Sequence, residues 1–181
     1  MKKFKLTSEF IVDISGVKLF RIKALIEFGN VKAGDLGGYI EKEENLSHMG
    51  DAWVSDDARI SGNAQVFGNA QVFGDAQVFG DAWVFGNARV SGNAQVSGDA
   101  QVFGDARVSG DKDYAYAHGF GSCNRTTTFF RLKDGDVGVR CGCFYGTLAQ
   151  FRDKVCETHG ETKKAQEYLM LADLMEIRFK N

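Results

Sequence analysis

Between Asp51 and Gly110, apolar and polar positions alternate with a period of two inside a larger period of six. In blocks of six the stretch reads DAWVSD, DARISG, NAQVFG, NAQVFG, DAQVFG, DAWVFG, NARVSG, NAQVSG, DAQVFG and DARVSG. All ten blocks begin with Asp or Asn and carry Ala second and Val or Ile fourth; nine end in Gly, Asp56 being the exception. Ala and Val two apart point to one side of an extended segment, and the residues between and after them point to the other. Gly followed by Asn or Asp tolerates positive φ and marks a turn. Each block is therefore a short strand and a corner. A helix would need apolar spacings of three or four, and this many glycines would disfavour it by about 1 kcal/mol each. One block cannot bury its own Val, but stacked coils can.

The flanks follow other patterns. FKLTSEFIVDI and VKLFRIKAL read as two strands joined near Ser15 and Gly16. After Gly110 the repeat decays at Asp111, Lys112 and Asp113. TTTFFRL and VGVRCGCF then read as two strands around a KDGD turn. Thr147 is a helix N-cap with Gln150 completing a capping box; Leu148, Phe151 and Val155 form one apolar face, and Gly160 ends the helix. A last helix, from about Thr162 to Phe179, places Tyr168, Leu171, Met175 and Phe179 at helical spacing. The expected organisation is an N-terminal β cap over 1–44, a β-helix over 45–118 and a small α+β (ββαα) unit over 119–181. That last unit either caps the final coil or extends to a neighbouring subunit.

The ten hexads resemble the hexapeptide-repeat, left-handed parallel β-helix superfamily, in which three hexads make one triangular coil. RTX calcium repeats fit worse, since GGxGxD is absent, and so do ice-binding solenoids, since outward Thr rows are absent. The lead-in words LFRIKAL, GDLGGYIE and ENLSHMGDAWV look like the N-terminal part of uncharacterised hexapeptide-repeat proteins of bacterial genomes and prophages, and bring no reaction with them. With three hexads per coil, residues eighteen apart stack, which sorts the outward side chains onto three faces. The first carries Met49, Phe67, Phe85 and Phe103 beside Gln65, Trp83 and Gln101. The second carries Ser55, Phe73, Ser91 and Ser109 beside Trp53, Gln71, Arg89 and Arg107. The third carries Ser61, Phe79 and Ser97 beside Arg59, Gln77 and Gln95.

At a coil spacing of about 4.8 Å, the Met–Phe row of the first face forms a continuous apolar ladder of a kind that soluble monomers rarely leave in water. Met49, Phe67, Trp83, Phe85 and Phe103 are thus candidates for a subunit interface. The resemblance points to a homotrimer packed along the helix axes. Contact with the chain's own flanks and a ligand-stacking platform remain alternatives. On the second face, Arg89 and Arg107 could clamp a phosphate or carboxylate, or simply form a solvated polar face.

Composition narrows the class. Net charge is −2 and the pI about 5.9, against a general nucleic-acid or membrane-surface binder. No apolar run approaches the roughly 18 residues of a membrane helix. MKKFKLTSEF lacks the apolar stretch of a signal peptide, so a cytoplasmic setting with reduced thiols is expected. There are 22 glycines and no proline, natural for a repeat that turns on Gly.

Candidate chemistry is sparse. Enzymes of the resembled superfamily are mostly acyltransferases that use a His near a subunit interface, often beside a loop extruded from a coil. The hexads here hold no loop and no His, which leaves His118 as a candidate base. A zinc site of the γ-carbonic anhydrase kind fails, because His48 and His118 stand about four coils, or roughly 19 Å, apart. Cys123, Cys141, Cys143, Cys156 and His159 could form a structural zinc site, although no CxxC pair is present, and ordinary reduced thiols are the alternative. No P-loop or dinucleotide motif occurs, and no cofactor is expected. Three functions remain. The first is a non-enzymatic oligomer that captures a small anionic ligand through Arg59, Arg89, Arg107, Arg125 and Trp53; one form of it is a phage protein sequestering a nucleotide signal of host immunity. The second is a purely structural or protein-interaction scaffold. The third is an acyltransferase relative using His118.

Overall fold

The alanine and valine rows close into a continuous core. From Ala52 to Val108, every repeat Ala and every repeat Val or Ile is at most 1 % exposed. At roughly 1.5–3 kcal/mol per fully buried Val or Ile and about 0.8 kcal/mol per alanine methyl, these rows are the main source of stability.

In the computed structural model, which describes residues 1–121 and 125–180, the chain is mainly β: a parallel β-solenoid of about four turns, followed by two C-terminal helices. It opens with β1 (Phe4–Val12), β2 (Lys18–Ala24) and β3 (Leu36–Ile40). Ten two-residue strands follow: β4 (Trp53–Val54), β5 (Arg59–Ile60), β6 (Gln65–Val66), β7 (Gln71–Val72), β8 (Gln77–Val78), β9 (Trp83–Val84), β10 (Arg89–Val90), β11 (Gln95–Val96), β12 (Gln101–Val102) and β13 (Arg107–Val108). They stack into three sheets, ordered β4-β7-β10-β13, β6-β9-β12 and β3-β5-β8-β11. In-register partners stand eighteen residues apart, as in Arg89 with Arg107 and Val66 with Val84. At the corners the repeat glycines take positive φ, and at Gly86 (φ 69°) a Cβ would stand 2.9 Å from Gly104 N.

Parallel pairing starts earlier than the repeat, at Tyr39 and Ile40 on β5, inside the segment read as a cap. The β1–β2 hairpin continues that sheet antiparallel beyond the first coil. The open end also leaves backbone carbonyls without a coil to bind them, and such groups are costly when buried. Two side chains serve them. The Asn45 amide donates to the carbonyls of Gly62 (3.1 Å) and Ala64 (2.8 Å). The Lys3 ammonium donates to those of Gly50 (3.2 Å) and Ala52 (2.7 Å), with the Phe28 ring 4.7 Å away.

At the other end the fold departs from the expected ββαα unit. β14 (Tyr114–Phe120), β15 (Arg125–Arg131), β16 (Val137–Cys141) and β17 (Phe144–Thr147) form a four-stranded antiparallel sheet, with α1 (Leu148–His159) and α2 (Lys163–Phe179) packed on it. VGVRCGCF is not one strand: Gly142 takes φ 59° and folds β17 back on β16, so that Cys141 pairs with Phe144. The capping box of Thr147 and Gln150 and the buried face of Leu148, Phe151 and Val155 form as expected. β15 is buried on both sides. Phe129 packs among the helices and Phe130 joins the solenoid core, and Thr128 Oγ1 accepts the Gln101 N–H at 3.2 Å. The unit therefore closes the last coil of its own chain. Arg131 donates to the Phe179 carbonyl (2.8 Å) and Arg178 to the Asp111 carbonyl (2.8 Å), which ties α2 to the sheet and the solenoid. Among the described residues, no helix is long and apolar enough to cross a membrane.

Lys3 is 1 % exposed, and burial lowers its pKa from 10.5 to about 8 against the opposing pull of Asp51. Between these values the unfolded chain binds more protons than the folded one, so this group's contribution to stability rises with pH. Melting curves should show the wild type gaining about 2 kcal/mol on Lys3→Met between about pH 7 and about pH 9.5. A constant difference would mean that the ammonium is not desolvated in the fold.

Candidate functional site

The arginines expected to gather an anion do not all share one face. Arg59 lies on the sheet of β3, and Arg89 and Arg107 are neighbours on the sheet of β4. Arg107 is already engaged, donating to the carbonyls of Asn87 (3.1 Å) and Ala106 (2.9 Å). The Ser109 hydroxyl donates to Asp113, which sets a carboxylate beside the expected clamp. Trp53 is also unavailable: it is 4 % exposed, with Phe28 edge-on at 5.4 Å. An outward position on a coil is not an exposed one where the N-terminal segment folds over it.

Arg125 occupies a different setting. At the start of β15 it lies against the turn at Gly142, where a Cβ would stand 3.1 Å from its Nη1. It lines a cavity of about 270 Å³ between the β16–β17 turn and the two helices. Phe144, Phe151 and Tyr168 form an aromatic wall, with Phe151 edge-on to Tyr168 at 5.7 Å and Phe144 tilted on Phe151 at 5.5 Å. Lys154 and His159 of α1 complete the polar lining, with His159 stacked on Tyr168 at 5.7 Å. Among the described residues, no carboxylate lines the cavity. Lys154 pairs with Glu157 at 2.8 Å on the exposed side of α1, where such pairs are worth little.

Arg125 and Gly142 also border a smaller recess of about 190 Å³ toward the last coil, lined by Asp99, Gln101, Thr126, Thr128 and Arg140. Arg140 donates to Gln101 Oε1 at 3.0 Å and stands 5.3 Å from the Phe103 ring centre. His118 lines neither space. Its Nδ1 is 2.9 Å from Thr126 Oγ1, and the Thr126 hydroxyl donates to Asp99. The threonine proton is therefore directed to a carboxylate and not to the histidine, which is the wrong arrangement for an activated nucleophile.

The zinc candidates separate. Cys141 and Cys143 line the cavity with His159, whereas Cys156 is exposed on α1 and lines no part of it. Cys123 lies outside the described residues, and among those described no group of three His, Cys, Asp or Glu is placed to hold a metal ion.

The first face carries the aromatic ladder. Phe67, Phe85 and Phe103 stack with centroids 4.8 and 4.6 Å apart and planes within 4°. The chain's own C-terminal unit covers the top rung, with Tyr145 at 4.3 Å and Phe130 at 6.1 Å from Phe103. Burial raises the Tyr145 hydroxyl pKa and keeps it protonated there. At the lower end Met49 is 81 % exposed, and Trp83 beside the ladder is 42 % exposed.

The aromatic wall, Lys154 and the cavity were not foreseeable as a site, because Phe151 and Tyr168 read as ordinary helix core and Lys154 as a surface charge. The one local signal was the glycine between Cys141 and Cys143, which marks the turn that forms the cavity rim.

Against known families, a model described as the YdcK beta solenoid repeat matches residues 58–74 and 82–98. The chain thus carries recognisable β-solenoid repeats over those residues. No curated protein matches the chain significantly.

His118 has a side chain 61 % exposed, a threonine contact at 2.9 Å and the exposed Asp99 carboxylate at 3.9 Å, where such a pair is worth little, so His118→Ala should change stability by less than about 0.5 kcal/mol. Thermal melting within ~2 °C of wild type is the expected result; a larger loss would assign His118 a packing role.

Proposed function

We propose that the protein is a non-enzymatic β-solenoid scaffold whose C-terminal unit captures a small anionic ligand in the cavity beside Arg125. One observation carries this reading: Arg125, Lys154 and His159 stand around an aromatic wall in a cavity that no carboxylate lines among the described residues. A guanidinium supplies charge-assisted, bidentate hydrogen bonds to a phosphate or carboxylate, and the rings suit a flat or apolar body. The cavity volume, about 270 Å³, sits near the lower end of the roughly 300–1,000 Å³ range of small-molecule pockets. A single ring system with one anionic group fits that size. A nucleotide with its base against the half-buried Phe144 and its phosphate on Arg125 is the form of ligand that agrees with the prophage-like lead-in. The six-residue sequence period and eighteen-residue register support placing the chain among left-handed hexapeptide-repeat proteins.

A second reading, self-association into a homotrimer through the first face, is favoured by the partly exposed ladder and by Met49 and Trp83. The two readings are compatible: one concerns the flank of the solenoid, the other its end.

The test is mass spectrometry of small molecules released by heat from purified protein, after incubation with a panel of nucleotides and simple aromatic carboxylates. One intact compound recovered near one per chain is the expected outcome. Recovery of a converted compound or of nothing would overturn the capture reading. Arg125→Ala should weaken binding by ~10-fold or more while leaving the melting temperature unchanged. Undiminished affinity would move the site elsewhere.

A further inference from the structure

Cys141 and Cys143 line the cavity on either side of Gly142. Cys141 is half-buried and accepts a hydrogen bond from Thr127 Oγ1 at 3.2 Å, whereas Cys143 is exposed. Cys156, also exposed, lies on α1 outside the lining. The same chain therefore holds one accessible thiol inside a cationic cavity and another outside it. A recess lined by one sign of charge raises the local concentration of oppositely charged molecules, so the two thiols meet different mixtures of reagents.

We propose that the cavity is a site of thiol–disulfide exchange selective for small anionic disulfides, with Cys143 as the reacting thiol. This rests on the anionic reading of the cavity and adds a covalent step to it. The Cys143 thiolate attacks one sulfur of a disulfide RS–SR; the S–S bond breaks, and a mixed disulfide Cys143–S–SR forms. The second RS⁻ leaves with the electron pair and takes up a proton from solvent. The disulfide is the oxidant, and no further co-reactant is needed. The group left on Cys143 brings its negative charge to Arg125 and fills the space that a non-covalent anion would occupy, so modification and capture exclude one another.

The experiment compares oxidised glutathione, an anionic disulfide, with cystamine, a cationic one, on the full chain, following each cysteine by peptide mass spectrometry over time. Relative to the cationic reagent, Cys143 should react at least ~5-fold faster with the anionic one than Cys156 does, and Arg125→Ala should abolish that excess. Equal selectivity at Cys143 and Cys156, or a preference that survives Arg125→Ala, would overturn the proposal. Non-covalent capture is measured in parallel on Cys143→Ser. Capture that persists there while wild-type Cys143 shows no selectivity overturns the exchange site alone. Loss of capture in wild type and variant together removes the anionic reading on which it rests.

Discussion

The structure depends on one constraint: each Ala and Val must rest on its counterpart in the next coil. A two-residue strand has too little surface to be stable alone, and its side chains gain a dry environment only when the coil above repeats the same pattern. The eighteen-residue register follows from this, as does the alignment of whatever stands outside. The parallel Phe rings of the first face are held at the coil spacing because the buried rows hold the backbone there.

A stack of coils has two ends, and much of the remaining chain closes them. At the start, Lys3 and Asn45 act as detached pieces of backbone, offering N–H groups to carbonyls that no coil reaches. At the finish, Thr128 and Asp113 offer oxygens to the N–H groups of Gln101 and Ser109. A sheet pressed against that end must also cover its own far side, and α1 and α2 do so. The cavity lies between the start of β15, the β16–β17 turn and the two helices. The candidate site is thus a product of end closure, whereas the solenoid flanks offer mainly ladders.

Legibility in the sequence followed the range of the interactions. The coils, the three faces, the Thr147 cap and the inner face of α1 depend on residues a few positions or one fixed period apart, and they could be read directly. The burial of Trp53 under Phe28, the capping of Ala52 by Lys3 and the convergence of Arg125 with Lys154 and Tyr168 depend on segments that meet only after folding. No local pattern announces such meetings. The β16–β17 turn was a nearer miss: the alternation of VGVRCGCF suits a strand, and only the positive φ at Gly142 breaks it. Of the arginines singled out in the sequence, Arg125 lines the cavity, while Arg59 stands on a different sheet from the adjacent Arg89 and Arg107.

The eighteen-residue register makes the length of this molecule adjustable only in discrete steps. Removing or duplicating one full coil would return the chain to the same face, and the closing sheet would meet the same rows of side chains at a new height. Adding a single block of six to the shaft would instead swing the C-terminal unit, together with the Phe103, Gln101 and Asp105 it grips, about a third of the way around the axis relative to the N-terminal hairpin. A lineage of such proteins can therefore lengthen or shorten its shaft in whole coils while the end-piece keeps its orientation, in the manner of a telescoping rod with fixed stops.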